Sequence, residues 1–426
     1  MVVVKINKIN KALYQLNIHI SIFKMTNPFI SLQEKIFLKL YLSQTISLLG
    51  DAFTWVGIAL LAFQFGGVNS AVILATALTL RVTAFILFGP YAGVLADRID
   101  RKKIMYLTHF VRMAIVSCLP FVTEAWQIYV LIFFLNIFNA FFTPAYKAAI
   151  PQSIKNQDNY SSGIALSNAT NQLLSVLGPG LAGAAAAWLG IRQIFFVDAA
   201  TFIIAAVFIL SLPSLLIEKY QKSAVVQSKV WVDIIKGTRL LFTDKGIRFA
   251  LLMELVAAIA GAQILVNTVG YIKGQLALTD KHYGYVMAAF GIGAVVAAFA
   301  SGNFDKSKNR IASLMIGGGL VCLSIAFGNY VAFIPLLILW LIAGFGQTLA
   351  EMPSQILIAE KIPKEEHGKV YGAHFAWSHL WWAIAYPIAG FTGTHFRTNE
   401  FIIGAAVSTV FLILITFLYY PRAEKQ

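Results

Sequence analysis

Apolar runs of about twenty residues recur twelve times along the chain, near 40–65, 71–95, 104–123, 126–148, 163–188, 192–212, 248–272, 283–303, 311–331, 333–358, 369–393 and 399–420. That is the length an α-helix needs to cross roughly 30 Å of hydrocarbon. Backbone polar groups in lipid must find partners inside their own segment, so each run is read as a membrane-spanning helix. Composition agrees: 58% of the 426 residues are hydrophobic and 12% are charged, against the roughly 25% charge of an ordinary soluble domain. The expected fold is an all-α membrane protein of twelve transmembrane helices in two six-helix bundles. One polar, lysine-rich stretch divides the spans six and six. The expected organisation is therefore an N-terminal segment at 1–35, a first bundle at 36–212, a cytoplasmic linker at 213–247, a second bundle at 248–420 and a tail at 421–426.

Lysine and arginine stay on the cytoplasmic side of a membrane, which orients the chain. With both termini inside, 27 of the 33 basic residues fall in the N-terminal segment, the even-to-odd loops, the central link and the tail. Arg192, Lys273, Lys281 and Arg397 fall outside, and Arg81 and Arg112 lie within spans. The expectation is a multi-pass protein of the cell inner membrane with both termini cytoplasmic, acting as a monomer in the lipid bilayer. The net charge of +14 follows from this topology, and no nucleic-acid partner is expected. Cys118 and Cys322 sit inside spans without metal-site or disulfide spacing and are read as packing residues. Residues 1–35 lack the apolar core and cleavage site of a signal peptide. They can form an interfacial helix, or translation can begin at Met25.

The turn between the second and third runs is the most specific motif. It carries Gly93, Asp97, Arg98, Asp100, Arg101, Lys102 and Lys103 in eleven residues. A small residue lets helices approach, an Asp suits a helix terminus, and the basic cluster prefers the inner leaflet. This pattern resembles the loop between helices 2 and 3 of the major facilitator superfamily of secondary transporters. An eroded copy, from Gly302 to Arg310, follows the eighth run. Pro144 and Pro151 at the end of the fourth run are weakly echoed by Pro353 and Pro363 at the end of the tenth. Both echoes fit a transporter built from repeated halves.

The resemblance covers nearly all of 36–420. Ser47 to Asp51, Gly178-Pro179-Gly180 with Gly183, and Gly368 to Gly372 look like the efflux branch that includes macrolide and siderophore exporters. The resemblance implies that Gly93, Asp97, Arg98, Arg101, Lys102, Gly178, Pro179 and Gly183 serve gating. It places Asp97 beside the start of span 11 when the inner side is closed. Physically, Pro179 removes a backbone donor and its glycines admit a close neighbour, giving a bent, tightly packed helix.

Charges inside the bilayer are costly and mark functional candidates. Asp51 and Arg81 lie near the middle of spans 1 and 2, and Asp51 can take up a proton, bind a cation or pair statically with Arg81. Arg112 is expected to snorkel or to tie helices together, and Asp198 to end a helix. Glu254 and Glu351 belong to spans 7 and 10. Span 11 carries His374 and His379 among three tryptophans. At 100° per residue the two histidines lie about 140° apart, so they do not form a one-faced metal clamp. Either can be a ligand, a proton carrier or a donor to a backbone carbonyl. This stretch resembles the nickel-resistance efflux proteins of the superfamily, some of which have a His-rich tail that this chain does not carry.

These residues lead to proton-coupled efflux of a divalent transition metal, nickel or cobalt, by alternating access, with Asp51, Glu254, Glu351, His374 and His379 exchanging protons for metal. The alternative is proton-coupled export of an amphipathic organic molecule such as a drug or siderophore. A non-transporting sensor or scaffold is the reading from another class. The sequence lacks paired-His zinc, nucleophile-elbow and phosphate-loop motifs, so no enzyme and no cofactor is expected.

Overall fold

The computed structural model describes residues 28–154, 157–213, 230–304, 310–363 and 366–421. Among these it contains thirteen α-helices and no strand. The first six are α1 (Lys35–Gly66), α2 (Ser70–Arg98), α3 (Arg101–Cys118), α4 (Ala125–Ser153), α5 (Gln157–Leu189) and α6 (Ile194–Leu210). A short α7 (Val230–Thr243) precedes α8 (Lys245–Gly270), α9 (Asp280–Phe304), α10 (Arg310–Ala326), α11 (Phe333–Lys361), α12 (His367–His395) and α13 (Glu400–Tyr419).

Local signals set several helix ends. Gly67, at φ +50°, closes α1 in a conformation that glycine adopts without strain. The Asp100 carboxylate accepts from Lys102 N at 2.9 Å and opens α3. Glu124 and Gln127 form a reciprocal capping box at the start of α4, and Asp244 caps α8 through Ile247 N at 2.8 Å. Several helices outrun the apolar runs at the basic-turn end, α1 beginning at Lys35 and α4 ending at Ser153. Hydropathy marks the hydrocarbon crossing, whereas the backbone ladder continues into the interface.

Seven stretches are long and apolar enough to cross a membrane on composition alone, and the first, Lys35–Gly89, holds two helices. The helices outside this group are α5, α6, α7, α9 and α12. Of these, α6 and α7 are short, with 17 and 14 residues.

The two bundles repeat one packing order. In the first, α1 packs on α5 and α6, α2 on α4, and α3 on α4 and α6. In the second, α8 packs on α12 and α13, α9 on α11, and α10 on α11 and α13. Each helix thus has its counterpart at the same place in the other half's order, as expected of a transporter built from repeated halves. The bundles meet through α2 against α12 and α5 against α9, and this pair of contacts maps onto itself under the repeat.

At the end of the molecule away from the α2–α3 turn, these contacts are tight. A Cβ on Gly183 would stand 2.5 Å from the Gly284 Cα, so only glycine permits α5 and α9 to touch there. Gly390 and Gly393 of α12 similarly seat Ala75 and Ala71 of α2. Arg397 donates to Asn69 at 2.6 Å across the same end.

The polar link includes a helix, Val230–Thr243. Gly237 lies against the Lys369 carbonyl, Trp377 Nε1 donates to Thr238 Oγ1 at 3.1 Å, and Lys236 pairs with Glu366 at 2.7 Å. Fourteen residues are too few to cross a bilayer and marginal as an isolated helix, so packing on α12 holds α7 in place.

Candidate functional site

A cavity of about 530 Å³ opens beside the first bundle. Leu265 of α8 and Tyr283 and Met287 of α9 line it at the end away from the α2–α3 turn. From there it runs toward the end bearing the α2–α3 turn, past Gln44, Lys147, Ile150 and Ile164. Helical periodicity aims the lining. On α1, Gln44, Leu48, Asp51, Trp55 and Ala59 recur at three- and four-residue steps. On α4, Asn139, Thr143 and Lys147 make a polar ladder beside the aromatic step of Phe142 and Tyr146.

Asp51 pairs with Arg112, whose Nη2 stands 2.7 Å from Asp51 Oδ1. The anticipated partner, Arg81, instead places its guanidinium 4.6 Å from the centre of the Trp55 ring, one turn along α1 from Asp51. Counting residues from the helix ends put Asp51 and Arg81 at one depth. The face that each helix turns inward decides the pairing, and depth alone does not reveal it. Arg112 does tie helices together and does not snorkel: its side chain is fully buried and stacks 4.2 Å from Phe202 of α6. Its Nε and Nη1 have no hydrogen-bond partner among the described residues.

Asp198, expected at a helix end, is buried in the second turn of α6. It accepts hydrogen bonds from Thr54 of α1 and from Thr201 Oγ1, the latter at 3.1 Å. Gly50 leaves room for this contact, since a Cβ there would overlap Thr201 Oγ1 and Asp198 Oδ1. His109, which the sequence reading passed over, is also buried, one turn from Arg112 and between Phe142 and Phe202. One guanidinium thus lies among two carboxylates and an imidazole, contributed by α1, α3 and α6.

The second bundle holds a separate polar cluster. Glu254 of α8 accepts from His374 Nε2 of α12 at 2.8 Å and from the Ser354 hydroxyl of α11. Ser354 Oγ lies 3.1 Å from His374 Nε2, and Glu351 accepts from Gln347 Nε2 at 2.6 Å. This brings Glu254, His374 and the helix bearing Glu351 together, buried between α8, α11 and α12 and away from the lining of the main cavity. Nothing in the sequence singled out Ser354 or Gln347. His379 goes elsewhere: its Nδ1–H donates to the Phe375 carbonyl at 2.8 Å, and its ring packs against Phe375 and against Phe85 of α2. His374 and His379 do not converge. Among the described residues, no three His, Cys, Asp or Glu side chains gather as a metal site.

Arg101 donates to the Ala148 carbonyl at 2.7 Å, and Lys102 donates to the Leu212 carbonyl at 2.6 Å. Both cations therefore sit at C-terminal ends of helices in the same bundle, where the dipole favours them. Gly178 seats α5 against Ala52 of α1, Gly183 seats it against α9, and Pro179 borders the cavity. Gly93 and the side chains of Asp97 and Arg98, with the expected contact near Gly368, lie outside the described side chains.

Two six-helix bundles of one packing order, with a cavity between them, define a membrane transporter. The sequence pattern of the major facilitator superfamily matches residues 40–269 and 251–426, and the chain belongs to that superfamily, whose members are transporters and not enzymes. It is 30% identical over 363 residues to YfiS, an MFS-type transporter of Bacillus subtilis (strain 168), covering 80% of this chain and 82% of YfiS. It is 23% identical to macrolide efflux protein A of Streptococcus pyogenes over 79% of this chain and 84% of that protein. It is 22% identical to a homologue of the multidrug resistance efflux pump PmrA from Lactococcus lactis subsp. lactis (strain IL1403), over 82% and 85%. Among solved structures, the nucleoside transporter NupG superposes with a TM-score of 0.72 at 12% identity, covering 91% of this chain and all of that one. A bacterial Spinster homologue in an inward-facing, occupied conformation superposes at 0.70 and 13% identity, over 91% and 96%. At these identities the two structures speak for the fold alone.

Proposed function

We propose that this protein is a proton-coupled exporter of an amphipathic organic molecule, working by alternating access between halves at 36–212 and 248–420. The observation that carries this reading is the cavity of about 530 Å³, in which aromatic and aliphatic walls stand beside polar and charged groups. That is the make-up of a pocket for an organic molecule. The efflux proteins among its relatives point the same way. The metal reading needs converging ligands, and His374 and His379 take separate partners.

In this reading the basic α2–α3 turn and both termini are cytoplasmic, and the monomer is captured open to the cytoplasm. Gly183 and Gly390 help close the outer side, while Gly93, Asp97, Arg98, Arg101, Lys102, Gly178 and Pro179 belong to the moving inner contacts. Protons enter through the carboxylates, Asp51 beside Arg112 in one half and Glu254 with Glu351 beside His374 in the other. Neutralising a carboxylate loosens its ion pair and lowers the cost of rearranging a buried charge. Inside-out membrane vesicles test the reading. Energised vesicles should accumulate organic probes and leave nickel and cobalt outside, whereas accumulation of the metals alone contradicts it.

A further inference from the structure

Four charged side chains line the cavity: Asp51, Arg81, Arg112 and Lys147. Asp51 and Arg112 pair with each other. What remains is cationic. Arg81 touches the face of Trp55, an attraction that leaves its N–H edge for another group. Neither Arg81 nor Lys147 has a carboxylate partner among the described residues. Lys147 also departs from the sequence reading, which counted it among the loop charges. It is the last rung of the Asn139–Thr143–Lys147 ladder, within the helical part of α4.

Given the export reading, on which this step rests, we propose that the cargo is an amphipathic organic anion. Its carboxylate or sulfonate is held by Arg81 and Lys147, and its apolar body lies on Trp55, Leu78, Leu265 and Met287. Arg81, half-buried near the middle of α2, is a cation without a carboxylate partner inside the bilayer, and an anionic cargo relieves that cost as it binds, with the more exposed Lys147 adding to the attraction. A planar guanidinium offers paired N–H groups to two oxygens of one acid, and the ammonium adds a compact charge that tolerates many geometries. Asn139 and Asn171 supply neutral amides for further oxygens. A cationic cargo meets the opposite situation, because the cavity's one carboxylate is already paired and the remaining charge repels it.

Three dansyl probes share one apolar body and differ in charge: dansylglycine is an anion, dansylamide is neutral and dansylcadaverine is a cation. Binding to the purified full chain in lipid nanodiscs should favour the anion over the cation by about tenfold or more. Arg81→Gln and Lys147→Gln should each erase most of that preference, and Arg81→Lys and Lys147→Arg should keep it. Size-exclusion profiles of the variants separate a lost site from a lost fold. Preference for the cation, or an anion preference untouched by both glutamine substitutions in folded protein, overturns the anionic assignment and leaves organic export standing. No binding of any probe, with no probe moved in vesicles, overturns the export reading and this assignment together.

Discussion

Arg112 Nη2 of α3 meets Asp51 Oδ1 of α1 at 2.7 Å, and this pair forms a wall of the cavity. Removing one member strands the other's charge in a low-dielectric site, at a cost of about 3–5 kcal/mol. Arg112→Ala should therefore lower the thermal unfolding midpoint in detergent more than the double substitution Asp51→Ala with Arg112→Ala. A single substitution no more damaging than the double contradicts the pairing.

The two histidines of α12 should separate cleanly. His374→Phe removes the donor that meets Glu254, leaving a buried carboxylate with Ser354 as its remaining donor among the described residues, and export should fall by about tenfold or more. His379→Phe loses one bond to a carbonyl within its own helix and should leave export within about twofold. Vesicle transport, normalised to protein in the membrane, measures both.

Gly183→Val inserts a branched side chain where α5 touches the backbone of α9. Overpacking at such a contact costs about 1–3 kcal/mol, here against the state in which this end is shut. Water-soluble thiol reagents should label cysteines introduced at that end faster in the variant than in its parent. Equal labelling rates contradict the assignment of this contact as the closed side.

The attachment of α7 should depend on acid. The hydrogen bond from Lys236, then that from Lys369, hold the Glu366 carboxyl below the usual carboxylate range. A depressed carboxylate contributes its attachment above its unfolded value, about 4.3, and loses it as pH falls through the lowered folded value. Amide hydrogen exchange in 230–243 should therefore be insensitive between neutral pH and about pH 5, after correction for intrinsic rates, and rise in stronger acid. Glu366→Gln should remove that acid step.

The spans were legible because a bilayer leaves the backbone few options, so about twenty apolar residues and a basic turn carry most of the architecture. The seat of Gly183 was legible too, since small residues near a proline announce close helix packing. The pairing inside the cavity was not. Asp51, Arg81 and Arg112 all announce themselves as intramembrane charges, but which two meet depends on helix rotation and tilt, which arise from packing across residues distant in sequence. The Asn139–Thr143–Lys147 ladder was present as a four-residue period, hidden because Lys147 lies near the end of an apolar run. Asp198 was legible as a residue near the start of α6, but that position says nothing of Thr54, which reaches it from α1.

Proteoliposomes carrying the purified protein, with a pH gradient imposed across the membrane and dansylglycine as probe, test the central claim most directly. The account expects uptake against the probe's own gradient when protons flow the other way, collapse of that uptake with a protonophore, and its loss in Asp51→Asn. Probe movement that ignores the pH gradient, or gradient-driven movement unchanged in Asp51→Asn, would contradict proton-coupled export through this cavity.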